Sequence, residues 1–242
     1  MEIRICESSE ALGKSAAREA ANAINAAIEK QGYARIALST GASQFDTIKA
    51  LVKENVDWSK VEMFHLDEYV DLPETHVASF RKYLKERFVA NVPTLKAAHF
   101  VDGTKEGIAA LTAEIRKAPI DVGLIGIGEN SHIAFNDPPA NFDTKEAYII
   151  VNLDEACRNQ QMGEGWFPTF DAVPKQAVSM TVYQIMLCKK IISCVPYAVK
   201  ADAIDKLFHT EGVVNTVPCS KFKEHPDLTL YLDKDSASKI LK

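Results

Sequence analysis

Four places along the chain set chemically able side chains directly after an apolar run. Thr40-Gly41-Ala42-Ser43 follows Arg35–Ser39, and Asp67-Glu68 follows Val61–Leu66. Glu129-Asn130-Ser131-His132 follows Asp121–Gly128, and Lys200 follows Ile191–Ala198. The stretch Ser39, Thr40, Gly41, Ala42, Ser43 is small enough for its backbone N–H groups to approach an anion, which a following helix N-terminus would favour. It lacks the Gly-Lys-Ser/Thr of a nucleoside-triphosphate loop. An ordinary helix N-cap through Thr40 or Ser43 satisfies the same pattern. Lys200 falls in the first turn of an expected helix, where a cation opposes the macrodipole unless a bound anion neutralises it. A solvated lysine is the alternative. Asp67, with one side against an apolar strand, is in a setting that raises a carboxyl towards a useful base. His132 has Asn130 two residues before it and Asp137 five after, an orienting partner for each ring nitrogen. Read singly, each of these is also an unremarkable loop residue. Together, at one edge, they outline a site.

Positioning such a set requires strands that all end on one side. Strands are expected near Ile3–Cys6, Arg35–Ser39, Val61–Leu66, Ala98–Val101, Asp121–Gly128, Val178–Val182, Lys190–Val195 and Leu228–Leu232. Helical spacing recurs over Ser8–Glu29, to about Glu54, and over Ala78–Val89, Lys105–Lys117 and about Val199–Phe208. Strands alternating with helices imply a Rossmann-like, doubly wound α/β fold, with a mainly parallel sheet covered by helices on both faces. Ligands of such sheets bind at the carboxyl ends of the strands. No repeat or linker divides residues 1–242, so one domain is expected. Phe135–Lys175 resists the alternation and carries four prolines and Trp166-Phe167. A lid within 139–175 and a surface excursion with a short helix at Asp154–Gln161 are both open.

Composition excludes several functions. With 28 Lys and Arg against 33 Asp and Glu, the net charge is −5, which fits neither a nucleic-acid binder nor a polybasic membrane anchor. No apolar run reaches the roughly 18–20 residues of a membrane span, and the first ten residues have no signal-peptide character. The five cysteines, Cys6, Cys157, Cys188, Cys194 and Cys219, are scattered without a Cys-x-x-Cys pair, so no zinc site or disulfide framework is expected. A cytoplasmic location follows most simply. Gly126-Ile127-Gly128-Glu129-Asn130-Ser131 lacks the third glycine of a dinucleotide fingerprint, and no second strand with a terminal acid follows.

Leu66–Pro73 (LDEYVDLP), His76–Phe80 (HxxSF), Gly126–Pro138 (GIGENSHIAFNDP), Val173–Val182 (VPKQAVSMTV) and Val199–Ala201 occur in that order. With them nearly the whole chain resembles the glucosamine-6-phosphate deaminase family. The related 6-phosphogluconolactonases usually carry arginine directly after the Asp-Glu pair, where this chain has Tyr69, and their histidine is not followed by IAFN. The resemblance implies conversion of an amino-sugar 6-phosphate to a ketose 6-phosphate and ammonia, with no metal or organic cofactor. It implies Asp67 as the base acting between C2 and C1, and His132, oriented by Asp137 and Asn130, as the ring-opening group. Ser39 to Ser43 and Lys200 would hold the phosphate.

Where the chain departs from the family, further expectations arise. Asp137 stands where many members have Glu, so its bond to His132 is expected to be lost or water-mediated. Ala42 and Ser131 replace glycines. The family's phosphate-binding arginine aligns with Gly165, leaving Arg158, Gln160 or Gln161 to substitute, or a different epimer such as the galactosamine sugar to be the ligand. The chain ends soon after Leu232, where members with long extensions form allosteric hexamers, so a monomer or homodimer is expected. A lactonase, or a sugar-phosphate sensor without chemistry, remains the alternative reading.

Overall fold

The computed structural model describes residues 1–241. Its first half runs β1 (Glu2–Cys6), α1 (Ser9–Gln31), β2 (Ala34–Leu38), α2 (Phe45–Leu51), β3 (Val61–His65), β4 (Asp67–Tyr69), α3 (Phe80–Arg87), β5 (Ala97–His99) and α4 (Lys105–Ile115). The second half runs β6 (Val122–Leu124), β7 (Tyr148–Asn152), α5 (Glu155–Gly163), β8 (Gln176–Met180), α6 (Val182–Met186), β9 (Lys190–Val195), α7 (Ala201–His209) and β10 (Leu228–Asp233). Seven strands form one parallel sheet in the order β1-β10-β9-β6-β2-β3-β5.

Side-chain alternation along the strands builds a core on each face. Ile36, Leu38, Ile192 and Cys194 pack with Leu12, Ala16 and Ala20 of α1 and Leu84 of α3. Ala37, Phe64, Ile191 and Leu230 pack instead with Leu111 of α4, Ile185 of α6 and Ile204 of α7. The helices are capped as the residue types predict: Ser8 accepts from the Ala11 N–H at the start of α1, and Gly32, at φ 83°, closes its end.

A second sheet departs from the parallel expectation. β4, β8 and β7 pair antiparallel, with Asp67 opposite Ser179 and Tyr148 opposite Met180. Much of the segment read as irregular is thus ordered: β7 and α5 lie within it, and α5 coincides with the short-helix alternative. The strand expected over Asp121–Gly128 is only three residues long, because the chain leaves the sheet after Leu124 to build the loop around His132. Among the described residues, no helix is long and apolar enough to cross a membrane.

β2 and β6 lie side by side at the sheet centre. From β2 the chain proceeds outward through β3 and β5, whereas from β6 it proceeds the other way through β9 and β10. Between their carboxyl ends is the point where strand order reverses, the place where such sheets open a crevice.

Candidate active site

That crevice holds the residues picked out from the sequence. A cavity of about 70 Å³ is lined by Ser39, Thr40, Gly41 and Ser43 after β2, Asp67 at the start of β4, His132 after β6 and Lys200 after β9. The side chains of Gln160, Gln161 and Glu164, from the end of α5, close another wall. Ala42 lies just outside, in an adjoining depression of about 450 Å³ that shares Ser43, Gln160, Glu164 and Lys200 with the cavity.

Asp67 is 6% exposed, although its place after an apolar run read as a loop; the short β4 ladder to β8 puts it under Phe80 and Phe135. Burial first, then the charges of Glu68 and Asp137, push its carboxyl up to about 8, against a smaller opposing pull from the Phe135 N–H. Its neighbour Glu68 has a different task. Fully buried, Glu68 accepts from Ser79 Oγ, the Tyr69, Phe80 and Arg81 amides and the Arg81 guanidinium. Those bonds tie β4 to the start of α3, leaving Asp67 as the carboxyl free to act.

His132 is 8% exposed, and its Nδ1 lies 2.8 Å from Asp137 Oδ1. The shorter side chain therefore reaches the imidazole directly, without the expected water. The loop compensates: Asp137 also accepts from Asn130 Nδ2 at 3.0 Å and the Asp154 N–H at 3.1 Å, which draw it towards the ring. Burial pushes the Asp137 carboxyl up, but the hydrogen bonds and charge of His132 and the Asn130 bond outweigh it, so it stays below its ordinary range. Asn130 corrects another expectation. It accepts from the His132 backbone N–H rather than from the ring, so Asp137 alone orients the imidazole. Ser131 takes the glycine's place at φ 73° and carries the turn.

The end of the cavity expected to take an anion is built from backbone. Among the described residues, the N–H groups of Thr40, Gly41, Ala42 and Ser43 have no hydrogen-bond acceptor, and the loop is pinned by Tyr83 Oη donating to the Gly41 carbonyl. The Ser39 hydroxyl is already committed, donating to Leu124 O and accepting from the Gly126 N–H, so it braces β2 against β6 rather than facing the cavity free. Lys200 is 4% exposed and, among the described residues, its ammonium makes no hydrogen bond or ion pair. It stands at the N-terminal boundary of α7 as expected, but in the interior rather than in solvent. Burial pulls its ammonium below the ordinary lysine range. Four open amides and a buried ammonium make a pocket wall suited to an anion.

Of the three substitutes for the arginine, Arg158 does not line the cavity: its Nη2 donates to Phe170 O and Val173 O, and its guanidinium lies over the Phe170 ring. Gln160 and Gln161 do reach the cavity, Gln161 held by a 2.8 Å bond from Tyr69 Oη. Gly165 itself turns at φ 82°. Glu164 was not singled out from the sequence. Only its position at the end of an irregular segment next to the missing arginine could have drawn attention to it. His132, Asp137 and Cys157 place one nitrogen, oxygen and sulfur within 4.8 Å of one another, a geometry open to a metal. The Asp137 oxygens are already engaged by three donors, His132 Nδ1 among them, and burial holds the Cys157 thiol well above its ordinary range.

Sheet order, switch-point crevice and anion-seeking wall define a class: Rossmann-like α/β proteins with a polar ligand pocket at the strand ends. Comparison with known proteins narrows it. Residues 7–230 match the family model described as glucosamine-6-phosphate isomerases/6-phosphogluconolactonase, and the chain belongs to that family. A glucosamine-6-phosphate deaminase of Staphylococcus epidermidis is 33% identical over 225 residues, covering 88% of this chain and 90% of that one. Glucosamine-6-phosphate deaminase 1 of Bacillus subtilis is 31% identical over 252 residues, covering 98% and 99%. A solved monomeric glucosamine-6-phosphate deaminase superimposes with a TM-score of 0.86 at 27% identity, over 98% and 99% of the two chains. A 6-phosphogluconolactonase from Shewanella baltica reaches 0.79 at 15% identity over 96% and 97%, a likeness of fold alone.

Proposed function

We propose that the protein is an amino-sugar phosphate deaminase/isomerase that turns glucosamine 6-phosphate, or an epimer, and water into the ketose 6-phosphate and ammonia. The observation that carries this reading is the buried Asp67 carboxyl, raised towards 8, in one cavity with the Asp137-held His132 and the unpaired Lys200. The phosphate is taken by the Thr40–Ser43 amides and Lys200, which fixes the sugar's far end. His132, with Nδ1 engaged by Asp137, has Nε2 to exchange a proton with the ring oxygen and O1 as the pyranose opens. The open-chain carbonyl at C1 acidifies C2. Asp67 removes that proton and returns it at C1, by way of an enolamine. The resulting C2 imine adds water and expels ammonia. The substrate ammonium, brought beside Asp67, draws the carboxyl into its ionised form. The base therefore charges when substrate arrives.

In this reading α5 and the loops flanking it, which wall the cavity, act as a lid within one domain spanning the chain. Five free thiols fit a reducing cytoplasm, and the assembly proposed is a monomer or homodimer. The test is to offer glucosamine 6-phosphate, its galactosamine epimer and 6-phosphogluconolactone, and follow ammonia and acid release. Ammonia from an amino sugar is expected. Asp67→Asn should lose about 10²–10⁴-fold in kcat while still binding the sugar. Acid release from the lactone without ammonia from either amino sugar would assign the pocket to hydrolysis instead.

A further inference from the structure

The wall facing Lys200 carries a carboxylate where a phosphate pocket ordinarily has none. Glu164 lines both the cavity and the outer depression, and its oxygens are held in place: Oε1 accepts from Gln160 Nε2 at 2.8 Å and Oε2 from Trp166 Nε1 at 3.0 Å. Glu164 and Lys200 line the same cavity and the same outer depression and, among the described residues, form no ion pair with one another, so a ligand entering there meets both charges. A doubly charged phosphate between them would be attracted by one wall and repelled by the other. A phosphate that keeps one proton would satisfy both. Its hydroxyl would donate to the carboxylate, while its bare oxygens would accept from Lys200 and the Thr40–Ser43 amides.

We propose that Glu164 is a specificity-determining residue that selects a proton-bearing phosphate, accepting a hydrogen bond from a phosphate hydroxyl while Lys200 holds another oxygen. This rests on the phosphosugar reading of the same pocket and adds to it the ionisation state of the ligand. Phosphate monoesters lose their last proton near pH 6, so binding at higher pH takes up one proton. The other charges that face Glu164 are Lys200 at the start of α7, Glu129 after β6, and Asp67 and His132 in the same cavity; Tyr69 of β4 and Tyr83 of α3 also feel its field. A second consequence follows from the chemistry. Sulfate, which carries no proton at neutral pH, cannot make the bond to Glu164.

Calorimetric titration of the full chain with inorganic phosphate and with sulfate, in buffers of differing ionisation enthalpy between about pH 6 and 8.5, reads both effects. The expected result is uptake of about one proton and phosphate affinity falling about tenfold per pH unit above 7, with sulfate about tenfold weaker or worse. In Glu164→Gln the slope and the sulfate discrimination should both vanish, and phosphate should bind more tightly at the high-pH end. Proton-independent binding by the wild-type chain, sulfate binding as well as phosphate, or a slope unchanged in Glu164→Gln would each overturn the proposal. The first two need no variant. The same titration of Asp67→Asn with glucosamine 6-phosphate, set beside the ammonia assay, separates the two readings. Ammonia release without proton coupling sinks only the role of Glu164. Coupling without ammonia release sinks only the deaminase.

Discussion

A Cβ added at Gly128 would stand 2.1 Å from His132 Nε2, so the glycine exists to let the imidazole lie against the backbone. Gly128→Ala should displace the ring by about an ångström and cost about 10²-fold in kcat with little change in phosphate affinity, checked by steady-state kinetics beside phosphate titration. Asp67 predicts a pH signature in two measurements. Because its carboxyl must lose a proton to act, kcat/KM of the free enzyme should rise with pH and level off above about 8. Stability runs the opposite way. A carboxyl raised above its unfolded value holds its proton more tightly when folded, so its contribution is complete below the ordinary carboxyl range and is lost as pH rises through about 8. Asp67→Asn should therefore melt higher than the wild type at alkaline pH and nearly alike in acid, as scanning calorimetry would show. The chemical identity of Asp67, His132 and Lys200 was legible in the sequence because each follows a strand. What the order of residues could not convey was that the Asp137 side chain reaches His132 unaided, since that depends on how Asn130 and the Asp154 amide fold the loop back.

Helices α1 and α2 approach so closely that a Cβ at Gly13 would lie 2.6 Å from the backbone carbon of Asp46. Since α2 directly follows the Thr40–Ser43 loop, their spacing sets the height of that loop above the sheet. Gly13→Ala should cost about 1–3 kcal/mol by overpacking, read from denaturant unfolding, and raise KM through the displaced loop. The longer elements were readable from periodicity, and β9 was found over its full extent at Lys190–Val195. β4 was not, because three residues bearing two carboxyls look like a loop and become a strand only when β8, more than a hundred residues later, supplies the partner. Non-local pairing overrode local propensity there. The same pairing buries Asp67, so the element hardest to see is the one that sets the surroundings of the proposed base.

For the molecule as a whole, the buried Lys200 ammonium and the four amides that have no acceptor among the described residues offer an anion strong partners, so a phosphosugar should tighten the fold as it binds. Ligand at 100 times its Kd contributes about 2.7 kcal/mol, and a chain of this size shifts by about 2–4 °C per kcal/mol, so a rise of about 5–10 °C is expected in a thermal melt. Lys200→Ala should remove most of that rise. A further consequence concerns the edge of the sheet. Among the described residues, β1 has a single sheet neighbour, β10, in a register that sets Glu2 beside Thr229 and Cys6 beside Asp233. The edge strand β1 therefore takes all of its ladder bonds from β10, and its amides should be protected from hydrogen exchange only as far as β10 holds.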